Sequence, residues 1–530
     1  MNDSSAVVGK FALDSLTIGM YENELVVYRE YIQNSTDAID KAVELGWISS
    51  LEESQIDIDI DKESRTIKIK DNGVGIPQKI ASSTLKDIGN SEKDYSVSRG
   101  FRGIGRLAGT AYCNKMIFKT STKGEDKSSI ITWNCEKLKE LLKPNSNSKL
   151  DLVQVIDACV SEEFIEEKNE KHYFEVKLEG VEYKNNLLDK YKVEEYLAQV
   201  APIEIDSRRF YYYSDLNDGI KKFMKENGIP IEEYPIRLNG RRITKLYSTA
   251  IKDKNGKKVD DITLIRKKII KDKSDNKLAF LWYGERKIAK GKIYDNNIAG
   301  IRYRKNNIMI GSSETLGKLF GDSETQMGFN KYYIGEIYIL NKNIIPNARR
   351  DDFEDNDYYK ALKEQIRPIV KELISVARNM SQINNAKKRI RDEEGRLDEI
   401  KANLYRKHLD QKEKEMLEKE VQEISYKIEN DRDIQKNSSK KLDELGRKNV
   451  ANNFQENENS RETKIKVKNI NTILGDDDFK GKTINPLKGI DRKVQKTVRG
   501  ILKILEKEIE PQKYNEIEQN IYKFVLKNKR

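Results

Sequence analysis

The sequence predicts an α/β protein in which an N-terminal α/β sandwich leads into an α+β second domain, a coiled coil and a small helical module. Residues 1–185 combine one long uninterrupted helical stretch with segments that alternate at period two. Residues 190–357 mix strand and helix signals again, and from 359 onward charged sequence with coiled-coil spacing takes over. For 530 residues a length prior gives roughly three domains. The boundaries are expected at 1–185, 190–357, 359–450, a linker at 451–485, and 486–530.

Each element has its own signal. Glu24 to Leu45 contains neither proline nor glycine, and Gly46 follows as a helix stop. Gln55–Asp61 alternates Ile56, Ile58 and Ile60, and Arg65–Lys70 alternates Ile67 and Ile69. The polar turn Lys62–Ser64 makes the two a hairpin. Further strands are predicted at 115–121, 128–134 and 172–179. In the second region the strand candidates are Ile236–Asn239, Leu278–Tyr283, Ile298–Arg304, Ile308–Ile310 and Glu336–Leu340.

Residues 359–450 have no proline after Pro368 and place apolar residues at Ile390, Leu397, Ile400 and Leu404, then at Val421, Ile424 and Ile428. Spacings of three, four and seven are those of a coiled coil. The phase drifts around Lys407–Lys414, which leaves open one long helix or a hairpin of two. Polar residues from 450 read as a linker, and 486–530 carries Leu487, Ile490, Val494, Val498, Ile501 and Ile504 on one face.

Composition excludes several classes. The hydrophobic fraction of 37% supports real cores, and the charged fraction of 35% exceeds the usual quarter, as long exposed helices require. No run approaches the ~18 apolar residues of a membrane span. Met1 to Lys10 has neither an apolar signal core nor an arginine-rich pattern, so no membrane partner is expected. Cys113, Cys135 and Cys159 are too few and scattered for a disulfide framework, and His172 and His408 have no Cys-x-x-Cys neighbours. These five residues read as packing or surface positions in a reducing cytoplasm. Of the net charge of +11, residues 361–530 carry +10 and 461–530 alone +8. Such a tail suits a phosphate polyanion, and equally a solvated helical surface.

The chemistry begins on the first helix. Glu30, Asn34 and Asp37 fall at i, i+4 and i+7 on one face. There an amide oxygen can ligate Mg²⁺, and the carboxylate one turn away can orient or deprotonate water. The second strand of the hairpin then runs into Asp71-Asn72-Gly73-Val74-Gly75-Ile76. Two glycines let the backbone turn closely around a flat ligand, and the aspartate can accept from an exocyclic amine. Third comes Arg99-Gly100-Phe101-Arg102-Gly103-Ile104-Gly105-Arg106, a glycine-rich run that can offer backbone N–H groups to a triphosphate. Ile88 to Lys93, just upstream, suits a lid. Two look-alikes fail on spacing. Gly103-x-Gly105-x-x-x-Gly109 is no dinucleotide fingerprint, and Gly311 to Leu319 has one residue too many for a P-loop.

Taken in this order, Glu30-x-x-x-Asn34-x-x-Asp37-Ala38, Asp71-x-Gly73-x-Gly75-Ile76 and Gly100-Phe101-Arg102-Gly103-Ile104-Gly105 resemble the GHKL ATPases. That group includes ninety-kilodalton heat-shock chaperones, MutL and MORC proteins, type II topoisomerase ATPase subunits and histidine-kinase ATPase domains. The resemblance covers about the first third of the chain. It implies a Bergerat-fold ATP site with ATP and Mg as cofactors. Glu30 would be the general base, Asn34 the Mg²⁺ ligand and Asp71 the adenine reader. Asp37, Gly73, Gly75 and Ile76 would line the nucleotide, Gly100, Phe101, Arg102, Gly103, Ile104 and Gly105 would wrap the phosphates, and Lys93 would sit in the lid. One departure is plain: the family's Gly-Thr before a late strand is replaced here by Tyr173-Phe174.

Ile345-Pro346-Asn347-Ala348-Arg349-Arg350-Asp351 resembles the middle-domain loop of the heat-shock-90 chaperones, with Arg350 as the γ-phosphate sensor. The same residues could equally form local pairs with Asp351, Asp352 and Glu354. The resemblance further implies an ATP-gated homodimer, a protein partner for the coiled coil, and nucleic acid for the basic tail. Three readings stay open: a clamp on DNA, a protein-remodelling chaperone, and a switch within a multi-protein system such as defence. No phosphoacceptor histidine precedes the ATPase motifs, so a histidine kinase is not expected.

Overall fold

The computed structural model describes residues 23–89, 103, 105–143, 150–182, 186–288, 291–404, 410–447 and 459–474, with Lys10 and scattered positions between 494 and 525. The chain forms two compact units, residues 1–378 and 379–530.

In the first unit, helix α1 (Val26–Glu44) starts where Asn23 Oδ1 accepts the Leu25 N–H at 2.9 Å. It ends in a Schellman arrangement: Gly46 adopts φ +67°, Trp47 N donates to Ala42 O and Gly46 N to Val43 O. The expected hairpin follows as β1 (Ile56–Asp61) and β2 (Thr66–Asp71), in the register Ile58↔Ile69 and Ile56↔Asp71. Helix α2 (Gln78–Lys86) precedes a 3-10 segment, Gly105–Ala111. Then come β3 (Lys115–Ser121), β4 (Lys127–Asn134), α3 (Cys135–Leu142), α4 (Leu152–Cys159), β5 (Val160–Glu166), β6 (Tyr173–Glu179) and α5 (Lys190–Val200).

After a short helix α6 (Ile220–Glu226), the strands β7 (Ile236–Leu238) and β8 (Arg241–Arg242) join the first sheet from the region beyond residue 190. Asn239 and Gly240, both at positive φ, make the tight turn between them. The eight-stranded order is β5-β4-β3-β6-β2-β1-β7-β8, with only β1–β7 parallel. The alternating isoleucines of β1 and β2 point inward with Tyr28, Tyr31, Ile32 and Ile39 of α1 and with Phe118 and Trp133.

A second, six-stranded sheet contains β9 (Ala250–Lys252), β10 (Lys258–Lys271), β11 (Lys277–Arg286), β12 (Gly300–Lys305), β13 (Ile308–Ile310) and β14 (Ile334–Ile339), ordered β13-β12-β14-β11-β10-β9. Its inner face packs Leu281, Tyr303 and Ile337 with Leu362, Ile366 and Leu373 of the long helix α7 (Asp357–Leu404).

In the second unit the coiled-coil stretch is a hairpin. Leu397, Ile400 and Leu404 of α7 meet Val421, Ile424 and Ile428 of α8 (Gln411–Glu444), and Arg389 Nε lies 3.0 Å from Asp431 Oδ1. The linker reading needs correction here. Asn459–Leu474 is a third helix, α9, because Val467, Ile470 and Leu474 form a stripe that packs onto the same cluster. Among the described residues no helix is long and apolar enough to cross a membrane.

The cysteines, distant in sequence, are not scattered in space. Cys113 and Cys135 bring their sulfurs within 3.8 Å, both buried. That contact and burial push the Cys113 thiol well up, so it stays protonated and unreactive.

Candidate functional site

The described parts of the three motifs meet on one flank of α1. The turn after β2 docks on it first: Val74 N donates to Ala38 O at 3.1 Å, and a side chain at Gly73 would collide with Ala38. Asp71, only 3% exposed, accepts from Gly73 N at 2.9 Å, which fixes its carboxylate at the strand end. Gly75 takes φ +68° and runs so close to Ser121 O that no Cβ fits there. Ile76 N then donates to Thr120 Oγ1 at 2.8 Å, while Thr120 Oγ1 donates to Tyr173 O at 3.1 Å. His172 Nδ1 lies 2.9 Å from Gly73 O and holds the turn from the other side.

The glycine-rich run arrives next to the Glu30 carboxylate. A Cβ on Gly105 would overlap Glu30 Oε2, so the backbone that opens the 3-10 segment lies directly against that side chain. Tyr31, the neighbour of Glu30, anchors this segment. Its hydroxyl donates to Arg106 O at 3.1 Å and accepts from Gly109 N at 3.3 Å. Arg106 turns its guanidinium back onto Gly103 O and Thr84 O, tying the loop to α2. Asn34 and Asp37 are half-buried on the same flank.

The third contribution comes from the loop after the second sheet. Arg350 Nε sits 3.9 Å from Glu30 Oε1, with both side chains about nine-tenths buried (11% and 8% exposed). Arg29 reinforces the contact: its Nη2 lies 3.2 Å from Glu30 Oε1 and donates to Arg349 O at 3.3 Å. Arg350 has φ +57°, an uncommon conformation for a non-glycine residue. The false P-loop supplies its support. Gly311 N donates to Arg350 O at 2.8 Å and Thr315 Oγ1 to Asp351 O at 3.1 Å.

Glu30, Asn34, Asp37, Asp71, Gly73, Gly75, Ile76, Gly103, Gly105 and Arg350 therefore belong to one neighbourhood built on α1 and the strand ends. Lys93, Gly100, Phe101, Arg102 and Ile104 lie outside the described residues. Arg29, Tyr31, Thr120 and His172 escaped sequence reasoning. Arg29 and Tyr31 flank the motif glutamate, and His172 opens the strand where Gly-Thr was missing, so position alone could have flagged them.

The family model described as histidine kinase-, DNA gyrase B-, and HSP90-like ATPase matches residues 21–168. Chaperone protein HtpG of Geobacter metallireducens is 30% identical over 139 residues, covering 23% of this chain and 21% of that protein. HtpG of Francisella tularensis subsp. novicida is 31% identical over 132 residues, covering 22% and 21%. The chain thus spans about a fifth of the length of the curated relatives it matches. The ATPase region of Saccharomyces cerevisiae topoisomerase II overlaps 66% of this chain and 84% of its own, at 12% identity and a TM-score of 0.36. By motif order, by family model and by curated relatives, the N-terminal part of this chain resembles the GHKL ATPases.

Proposed function

We propose that this chain is a Mg-dependent ATPase in which ATP binding drives N-terminal dimerisation and closure of a clamp. The contact of Arg350 with Glu30 carries this reading, because it joins a phosphate-sensing side chain from one sheet's loop to the general base on another element. Glu30 orients the attacking water and takes its proton, and Gly105 leaves room beside it. Asp71 accepts from the adenine amine, and the turn Gly73–Ile76, held by Thr120 and His172, forms the wall of that pocket. Arg350 leaves Glu30 for the γ-phosphate and offsets charge there, so hydrolysis depends on the second sheet's loop being in place.

The donor set suits Mg²⁺. One half-buried amide, Asn34, is one turn from the base, and this ion keeps most of its ligands as water and phosphate oxygens. When bound it would neutralise charge on the triphosphate.

The test is Mg-ATP turnover of wild type against Glu30→Ala, with size-exclusion analysis of both in ATP. Retained binding, lost turnover and an accumulating ATP-bound dimer support the reading. A variant that hydrolyses ATP at the wild-type rate refutes it.

For the client, the +8 charge of residues 461–530 favours a DNA-acting clamp, alone or within a multi-protein defence system in which the α7–α8 hairpin recruits an effector. A chaperone-like role has its own support in the HtpG relatives and the Arg350 loop. DNA binding that weakens steeply with salt and vanishes without 461–530 separates the two.

A further inference from the structure

Among the described residues, one polar side chain of helix α1, that of Gln33, meets no hydrogen-bond partner. Gln33 is fully buried, and among the described residues neither its Nε2 nor its Oε1 has a partner. A buried amide without partners opposes folding, whereas a leucine of similar size would not. Such a group calls for a use.

Its position suggests one. Gln33 stands one turn after Arg29 and seven residues before Asp40, so the three share a stripe of the helix. Both flanking members are tied to elements outside α1 and its hairpin: Arg29 donates to Arg349 O, and Asp40 accepts from the Tyr234 hydroxyl. The turn after β2 docks at Ala38, on the other side of the helix, whereas Arg29 at the head of this stripe meets the loop that carries Arg350. That loop has an orphan of its own. Asn347 spends its Nδ2 on Asp351 Oδ1 at 2.6 Å, but its Oδ1 is buried with no donor among the described residues. The helix thus holds an unused donor and the loop an unused acceptor. Arg350, on the same loop, pairs with Glu30.

We infer that Gln33 is a positioning residue for Arg350: with ATP bound, its Nε2 donates to Asn347 Oδ1 and fixes the loop that aims Arg350 at the γ-phosphate. The inference rests on the ATPase reading above and names a residue which that reading does not use. ATP would then favour the loop position in which both groups are satisfied.

The experiment compares wild type with Gln33→Leu, Gln33→Met, Asn347→Ala and the Gln33→Leu/Asn347→Ala double variant. It reads the nucleotide-free thermal midpoint, kcat and KM for Mg-ATP. Gln33→Leu and Gln33→Met are expected to raise the nucleotide-free midpoint by a few degrees while lowering kcat on the order of tenfold with little change in KM. Asn347→Ala should lower kcat similarly, and the double variant no further. An unchanged kcat, additive losses in the double variant, or a lowered midpoint in both Gln33 variants each overturn the inference. A wild-type chain without Mg-ATP turnover removes the ATPase reading itself, and this inference with it.

Discussion

Arg350 Nε lies 3.9 Å from Glu30 Oε1, and Arg29 approaches the same oxygen at 3.2 Å. Two guanidinium groups thus converge on one buried carboxylate, borne by a helix of the first sheet's layer and a loop of the second. Arg350→Ala is expected to bind ATP within a few-fold of wild type yet lose about 10³-fold in kcat, the scale of an arginine that stabilises phosphoryl transfer. Arg350→Lys should recover little, because an ammonium cannot reproduce the planar fork. Single-turnover hydrolysis with a parallel binding titration checks both, and a fully active Arg350→Ala would return this residue to local pairing.

Gly105 tests how tightly the phosphate loop and the base are fitted. A methyl group there must displace the Glu30 carboxylate, and a shift near 1 Å costs on the order of a hundredfold in turnover. Gly105→Ala should show that loss with an unchanged thermal midpoint. Gly395→Ala, whose added Cβ meets nothing within 4 Å, serves as the control and should leave turnover untouched. Equal turnover in both variants would mean that the carboxylate tolerates displacement.

Where side chains alternate or recur at helical spacing, the sequence was sufficient. The isoleucines of β1 and β2 set a hairpin whose register pairs Ile58 with Ile69, and strand β3 falls at 115–121 as expected. β5 and β10 were missed for opposite reasons. Val160–Glu166 is an edge strand exposed on nearly every residue, so it has no apolar face to read. Lys258–Lys271 is a long strand whose charged residues break the alternation. The candidate site was legible as motifs, since Glu30, Asp71 and Gly105 each carry a local signature. Thr120 carries none, because its contact with Ile76 arises from strand order: β6 lies between β2 and β3, and Thr120 of β3 reaches the turn after β2.

Thr120 therefore gives a third prediction. Its hydroxyl accepts from Ile76 N and donates to Tyr173 O, so it supports the wall of the proposed adenine pocket while itself 1% exposed. Thr120→Val removes the acceptor and leaves a buried N–H unpaired, at about 1–3 kcal/mol. ATP affinity should fall about tenfold or more, and Thr120→Ser should keep most of it. Asp71→Asn should abolish detectable ATP binding. Fluorescent-nucleotide titration decides, and a Thr120→Val chain with wild-type affinity would remove Thr120 from the pocket's support.

The last prediction concerns what holds the second sheet's loop in place. Glu336 is fully buried on β14, with Lys245 Nζ at 3.1 Å, the Tyr338 hydroxyl at 2.6 Å and Arg304 on its other oxygen. Arg304 also donates to Gln199 O at 2.7 Å, so the cluster ties the end of α5 to the second sheet. Burial alone would push the Glu336 carboxyl up, but Arg304, Lys245 and Tyr338 together hold it down, at about 2. Its folded value thus lies below the unfolded one, near 4.5. The stability it contributes is complete above pH ~4.5 and drains away as pH falls toward ~2, roughly 3 kcal/mol in all. Lys245 is lowered to about 8 by burial and by Arg304, so its contribution rises with pH only above that value and leaves the acid limb to Glu336. Glu336→Gln should cost about 3–5 kcal/mol at neutral pH by leaving two buried cations short of a partner. Urea unfolding from pH 2 to 7 should find the gap between wild type and Glu336→Gln closing as pH falls below about 4.5. A gap that stays constant across that range would mean that folding leaves the proton affinity of Glu336 unchanged, and that the link from α5 to the second sheet rests on packing rather than on charge.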